Sequence, residues 1–169
     1  MKEQIDMNLE DERLFQREQI EITTPESIVT DKGIYGFFGQ YRFLSNFHLV
    51  NIEIDGRIYP STENAYMAFK TDDVILKDEF AKILPKETKT LGRNVPLRSD
   101  WEEVKFECMR RVLVEKFKDE KLKTDLLNTG DKYLEETNWW GDQIWGVCKN
   151  KGANNLGKLL MEIRKNENQ

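Results

Sequence analysis

Apolar and polar residues alternate from Val50 to Ile54 and again from Arg57 to Tyr59, on either side of Asp55-Gly56. A period of two marks a half-buried strand, and Asp-Gly supplies the positive φ of a tight turn, so the pattern predicts a β-hairpin over 50–59. Before it, Ile34, Tyr35, Phe37, Phe38, Tyr41, Phe43 and Leu44 are punctuated by Gly36 and Gly39. That run reads as a short strand followed by an irregular loop. After Pro60 the period changes to that of a helix. Pro60 ends the strand because it has no N–H for a sheet ladder, and Ser61 is a natural N-cap for a helix over 62–70. A second helix is expected over about 73–84, with Val74, Ile75, Phe80, Ile83 and Leu84 as its apolar face.

Pro85 and Pro96 bracket a connecting segment that holds Leu91-Gly92-Arg93. Ser99-Asp100-Trp101-Glu102 has the form of a capping box. It predicts a long helix to about Lys118, with Trp101, Val104, Cys108, Val112 and Phe117 on its buried stripe. Leu122, Leu126 and Leu127 mark a further helix ended by Thr129-Gly130. Asn154 is placed to cap a last helix whose Leu156, Leu159, Leu160 and Ile163 face inward. The expected fold is a single α+β domain, mostly helical, with a small antiparallel sheet drawn from residues 34–60.

Residues 1–32 stand apart as a charged N-terminal extension, and 33–169 form the body. The extension is rich in Glu, Asp and Gln, with Leu14, Phe15 and Ile20 as scattered anchors. A charged helix is expected at 9–19, either on a mobile arm or docked on the body. At 169 residues the chain is long enough to bury a core without staples. Its net charge of -5 argues against a surface built to wrap nucleic acid, though local basic patches remain able to hold phosphate. Cys108 and Cys148 lie forty residues apart without metal-ligand spacing and read as reduced thiols of a cytoplasmic protein. His48 is the only histidine, so a multi-histidine metal centre is excluded; neither a metal nor a cofactor is expected. No apolar run reaches the roughly 18 residues of a membrane span, and Met1-Lys2-Glu3-Gln4 reads as no signal-peptide core.

The densest chemistry lies in Tyr59-Pro60-Ser61-Thr62-Glu63-Asn64-Ala65-Tyr66-Met67-Ala68-Phe69-Lys70. Seven residues are close to two helical turns, so Glu63 and Lys70 share a face, with Tyr66 and Met67 between them. A carboxylate and an amine held together are the parts needed to break a bond at an electrophilic carbon. Read for packing alone, Glu63 complements the helix dipole and Lys70 reaches to solvent. Trp139-Trp140-Gly141-Asp142-Gln143-Ile144-Trp145-Gly146 is a second candidate. It is either a structural tryptophan cluster with a turn-forming Asp142, or a pocket with Trp145 as a wall for a flat ligand and Asp142 at its polar edge. Gly152-Ala153-Asn154-Asn155-Leu156-Gly157 leads into a helix N-terminus, where free N–H groups favour an anion. Ser45-Asn46 makes a turn or bonds a sugar, and Arg93 is a surface arginine or a phosphate clamp.

Taken in order, these motifs resemble the YbiA-like or NADAR family. The resemblance runs through Leu44-Ser45-Asn46-Phe47, Asp55-Gly56, Tyr59-Pro60-Ser61-Thr62-Glu63, Lys70, Leu91-Gly92-Arg93, Trp101, Met109 and Lys116-Phe117. It continues through Leu126-Leu127, Thr129-Gly130, Glu135, Asp142, Trp145-Gly146 and the run from Gly152 to Met161. It covers roughly 34–165. Each motif is short, and their number and order make the match specific. The resemblance implies a YbiA-like fold and an N-glycosidase. Some family members cleave the ribosyl–nitrogen bond of phosphorylated uracil intermediates of riboflavin synthesis, and others remove ADP-ribose from modified nucleobases. It puts Glu63, Lys70, Asp142 and Trp145 on the active-site motifs, with the lysine able to form a Schiff base with the opened ribose. The same motifs carry Trp101 and Gly146, which join Ser45, Asn46, Arg93, Trp145 and Asn154 as candidate substrate-binding positions.

The implied partner is a small ribosyl or ADP-ribosyl substrate, or an ADP-ribosylated nucleic acid, and no membrane. Two departures bear on the base recognised. Asn64 stands where the family often has His, and the tryptophan-rich segment before Asp142 is one residue longer than usual. The competing expectation is a catalytically silent binding module for ADP-ribose or NAD, which the presence of both Glu63 and Lys70 disfavours.

Overall fold

The structure, a computed structural model, describes residues 17–169. The helix expected at 9–19 therefore lies outside the described residues up to residue 16, and 17–20 carry no regular secondary structure. In chain order the strands are β1 (Ile28–Val29), β2 (Gly33–Tyr35), β3 (Ile52–Ile54), β4 (Arg57–Tyr59), β5 (Tyr133–Glu135), β6 (Thr137–Asn138) and β7 (Val147–Cys148). The helices are α1 (Thr62–Ala68), α2 (Val74–Lys82), α3 (Thr88–Gly92), α4 (Trp101–Lys116), α5 (Glu120–Leu127) and α6 (Asn155–Glu167). The class is α+β, as the hydrophobic pattern predicts. The chain divides into two compact units, one of Asn46–Asp125 and one of residues 17–45 with Leu126–Gln169.

In the first unit β3 and β4 form the expected antiparallel hairpin, with Ile52 opposite Tyr59 and Ile54 opposite Arg57. Asp55 and Gly56 both take positive φ, 51° and 77°, as a two-residue turn of this hand requires. Helix α1 packs against α2, α4 and the hairpin. Its side chains from Ala65 to Ala68 are all buried. Helix α2 departs from expectation. Only Phe80 of its apolar residues is buried, whereas Val74 and Ile75 are 59% and 72% exposed. Asp73 explains the start of α2, since its carboxylate accepts from the Ile75 and Leu76 N–H groups and leaves Val74 and Ile75 in the first, solvent-facing turn.

The connecting segment between Pro85 and Pro96 holds a helix the pattern did not announce, α3. Its Gly92 lies so close to the Met67 Cε that a Cβ there would collide with it. The capping box at Ser99 is not made. Helix α4 starts one residue later than a Ser99 cap allows, with Asp100 as its N-cap. Arg98 holds the Asp100 carboxylate at 2.6 and 2.9 Å, and Glu102 pairs with Lys105 at 2.6 Å. Trp101, Cys108, Val112 and Phe117 are buried as expected, joined by Met109 and Leu113, while Val104 is only half-buried.

In the second unit β2 is antiparallel to β1 and parallel to β5, with Gly33 opposite Tyr133. The strand expected near residue 34 thus joins a sheet separate from the hairpin. All three of its residues are buried, so it carries no alternation to reveal its partner. Residues preceding the strands are fastened here too. Ile22 is buried, and Glu18 accepts from the Thr30 and Tyr35 hydroxyls at 2.7 and 2.9 Å. Helix α6 packs on β5, and its Leu156, Leu159, Leu160 and Ile163 are buried, as the pattern predicts. No helix among the described residues is long and apolar enough to cross a membrane.

Candidate active site

The candidate residues of the first unit gather around α1. Ser61 caps it as expected: its Oγ accepts from the Asn64 N–H at 3.1 Å and donates to Asn64 Oδ1 at 2.6 Å. The Asn64 Nδ2 donates to the Phe80 and Ile83 carbonyls at 2.8 and 2.9 Å. Asn64 is fully buried, so this departure from the family pattern tightens the joint between α1 and the end of α2. Glu63 consequently sits in the first turn of α1, half-buried. Its N–H donates to the Asn46 carbonyl at 2.9 Å, and the Thr62 hydroxyl donates to the same oxygen at 3.1 Å.

Asn46 is therefore bound to the turn that carries Glu63. Its side chain is buried, with Nδ2 donating to the Met109 Sδ at 3.5 Å, while Oδ1 has no partner among the described residues. A buried amide oxygen left in this way costs about 1–3 kcal/mol.

Helix α1 ends sooner than expected, with Phe69 as its C-cap, and Lys70 follows in a turn. The Lys70 N–H still bonds to the Met67 carbonyl at 3.2 Å, and its own carbonyl accepts from the Arg98 N–H at 2.8 Å. The ammonium lies over the Trp101 ring, 5.8 Å from its centroid, and that ring packs at 50° to Tyr66. Burial lowers the Lys70 pKa from the ordinary lysine value, opposed by the charges of Glu63 and then Glu102. Asn46, Glu63, Lys70 and Trp101 thus fall in one neighbourhood. Arg93 is exposed, past the end of α3, and among the described residues makes no hydrogen bond or ion pair with these side chains.

The second unit holds Ser45, Asp142, Trp145, Gly146 and Asn154. Ser45 is buried and ends the 3-10 helix Gly39–Leu44, its N–H bonded to the Arg42 carbonyl at 3.0 Å. The Asp142 Oδ1 accepts from the N–H groups of Ile144 and Trp145 at 3.0 and 2.9 Å, so the carboxylate shapes the loop that presents Trp145. Trp145 is half-buried. Trp139 and Trp140 are 42% and 46% exposed and pack on Phe38 rather than inside a core. Gly146 is buried where a Cβ would collide with the Glu136 carbonyl.

Asn154 takes φ 51° and makes no side-chain cap on α6. Instead its Oδ1 accepts from the Glu136 N–H, and its Nδ2 donates to the Tyr133 hydroxyl and the Leu134 carbonyl. The N–H groups of Asn155 and Leu156, expected to face an anion, donate to the Ile144 and Trp145 carbonyls at 3.3 and 3.0 Å. This helix end holds the loop through these two N–H groups, which are thereby not free for an anion.

Two residues escaped the sequence reading. Asn138 is the hub of the 138–147 loop: its Nδ2 donates to the Asp142 carbonyl at 2.8 Å and its Oδ1 accepts from the Gly141 and Asp142 N–H groups. An Asn four residues before an Asp in a Gly-punctuated loop was the available signal. Arg98 was hidden because its tie to Lys70 runs through the backbone.

With this geometry in view, the kinship is plain. The NADAR domain family matches residues 31–166, and the chain belongs to that family. It is similar to the N-glycosidase YbiA of Shigella boydii serotype 4, at 38% identity over 136 residues, covering 77% of this chain and 84% of that protein. A riboflavin biosynthesis protein of Vibrio vulnificus is 37% identical over 133 residues, covering 72% of this chain but 34% of its own length. The NMR structure of the E. coli protein YbiA superposes with a TM-score of 0.72 at 33% identity, covering 82% of this chain and 86% of that one.

Proposed function

We propose that this protein is a hydrolase of N-glycosyl bonds, acting in the cytoplasm on a ribosylated, phosphate-bearing small molecule of the riboflavin-intermediate type. The observation that carries this reading is the Lys70 ammonium: partly desolvated, over Trp101, with Glu63 as the largest opposing charge. Breaking an N-glycosidic bond develops positive charge at the anomeric carbon. A carboxylate such as Glu63 stabilises that charge or orients the attacking water, and an amine of lowered pKa is a competent nucleophile at the same carbon. The family resemblance assigns Trp145 a stacking role towards the base, and Asp142 holds the loop that carries it. Arg93, exposed and without a carboxylate partner among the described residues, is the proposed phosphate contact. The relatives named N-glycosidase and riboflavin biosynthesis protein support the reaction class and the substrate type.

The second reading keeps the chemistry and changes the substrate to an ADP-ribosylated nucleobase, free or in a nucleic acid. The exposed Trp139 and Trp140 favour it, because they offer stacking surface beside the loop of Asp142. A silent binding module for ADP-ribose or NAD is disfavoured by the desolvated lysine, which binding alone does not require. The deciding experiment incubates the protein with a phosphoribosyl aminouracil and with an ADP-ribosylated nucleobase. Mass spectrometry then identifies ribose phosphate or ADP-ribose. Release of neither, by protein that binds both, would establish the binding module.

A further inference from the structure

Arg17 stands outside residues 31–166, the span shared with the family, yet among the described residues its side chain is tied to both Glu135 and Asn150. Its Nε and Nη2 donate to the two oxygens of Glu135 at 2.5 and 2.7 Å, a bidentate pair. Its Nη1 donates to Asn150 Oδ1 at 2.9 Å. Glu135 is completely buried and accepts in addition from the Thr137 hydroxyl at 2.7 Å. Asn150, at φ 60°, forms with Lys149 the tight turn that follows β7, and its Nδ2 donates to Glu21 at 2.9 Å. Two residues of the segment therefore grip this turn, and one of them also grips the strand end at Glu135.

These two points are the outer ends of one structure. From Glu135 the chain enters β6, which pairs in parallel with β7, Thr137 opposite Val147. Between β6 and β7 runs the loop of Asp142 and Trp145. Beyond the Lys149-Asn150 turn the chain returns along it, with Ala153 bonded to the Gln143 carbonyl and Leu156 to that of Trp145. Arg17 joins the entry of the loop to its far turn. Burial alone would make the guanidinium less basic, and its bond and charge contact with Glu135 reverse this and leave its pKa raised.

We propose that Arg17 is a positioning residue for the 138–154 loop, tying Glu135 to Asn150 so that Asp142 and Trp145 are held as the reaction needs them. This rests on the reading of Asp142 and Trp145 as site residues. A purely structural Arg17 would only compensate the buried Glu135 charge. The two roles separate in the full-length chain by hydrogen–deuterium exchange of Asn150→Gly and of the double variant Arg17→Met/Glu135→Gln. Gly tolerates the positive φ of the turn, so Asn150→Gly releases the grip of both Arg17 and Glu21 while the Arg17–Glu135 pair stays intact, and the double variant releases that of Arg17 alone.

The expected result is exchange over 138–154 faster by roughly tenfold or more in both variants, with β2 and the centre of α6 unchanged. With a phosphoribosyl aminouracil as substrate, kcat/KM falls with it. Unchanged exchange over 138–154 in Asn150→Gly would overturn the proposal. So would a rise there no larger than that of α6. Should the wild type prove inactive on that substrate, the proposed reaction fails, while the exchange result still decides whether Arg17 holds the loop.

Discussion

The Lys70 ammonium stands 5.8 Å from the centroid of the Trp101 ring, within reach of the ring's negative face. The ring both attracts the cation and keeps water from it. Burial lowers the lysine's pKa below the ordinary 10.5, against the opposing charges of Glu63 and Glu102. If neutral Lys70 is the reacting form, kcat/KM rises with pH to a plateau, with its midpoint below 10.5. Trp101→Leu rehydrates the amine and moves that midpoint up towards the ordinary value. The sign for stability follows by linkage. A lysine of lowered pKa binds fewer protons in the folded state than in the unfolded one, so its contribution to stability increases as pH rises from the folded pKa to 10.5. A pH–rate profile that is flat below pH 10.5, or unmoved by Trp101→Leu, would remove Lys70 from the titrating step.

Glu63→Gln should abolish turnover and leave the fold standing. The Glu63 N–H bond to Asn46 belongs to the backbone and survives the exchange. Only the charge is lost, and for a catalytic carboxylate the expected fall in kcat is roughly a hundredfold or more. Steady-state kinetics with the true substrate checks this, beside a thermal melt. A variant within about threefold of wild type has not lost a catalytic group.

Asn64→Ala should do the reverse. It strips partners from the buried carbonyls of Phe80 and Ile83 and from the Ser61 hydroxyl. Leaving such groups unpaired costs about 1–3 kcal/mol each before relaxation, so urea unfolding should show a loss of roughly 2–4 kcal/mol. The KM of the surviving folded enzyme should hold. A KM that rises many-fold without loss of stability would mean that Asn64 reads the substrate after all.

These variants also mark where sequence could be read and where it could not. The hairpin around Asp55-Gly56, the Ser61 cap and the inward face of α6 follow from local chemistry: a positive-φ turn, a hydroxyl one residue before a helix, a period of 3.6. Helix α3 did not announce itself, because two prolines frame it and its glycine serves packing against Met67. The Ser99 capping box is not made, because α4 begins at Trp101 with Asp100 at the N-cap and the Glu102 carboxylate that the box needs pairs with Lys105. The parallel partner of β2 lies a hundred residues away, and no local pattern encodes it. At the site, Glu63 and Lys70 were legible as a spaced pair, although Lys70 proves to sit past the helix. Asn154 takes the N-cap position of α6, but its side chain bonds back to Tyr133, Leu134 and Glu136, a use that no local pattern encodes.

The remaining prediction separates two uses of Lys70. In the covalent route the amine attacks the anomeric carbon as the base departs with the bonding electrons and a proton. The ribose ring then opens and the carbon–nitrogen link becomes an imine, which water later hydrolyses to release the sugar and free the amine. Borohydride added during turnover reduces the imine to a stable secondary amine, so the peptide carrying Lys70 should gain the mass of the reduced ribose phosphate. Lys70→Arg should then be dead, because a guanidinium remains protonated and cannot attack. In the alternative route Lys70 stays charged, offsets the substrate phosphate or Glu63, and water attacks with help from Glu63. Lys70→Arg would then keep measurable turnover, and no adduct would form. The partial desolvation of the ammonium favours the covalent route, because it raises the neutral fraction of the amine at working pH. An active Arg variant together with an untrapped lysine, under conditions where wild type turns over, would assign the chemistry to Glu63 and water.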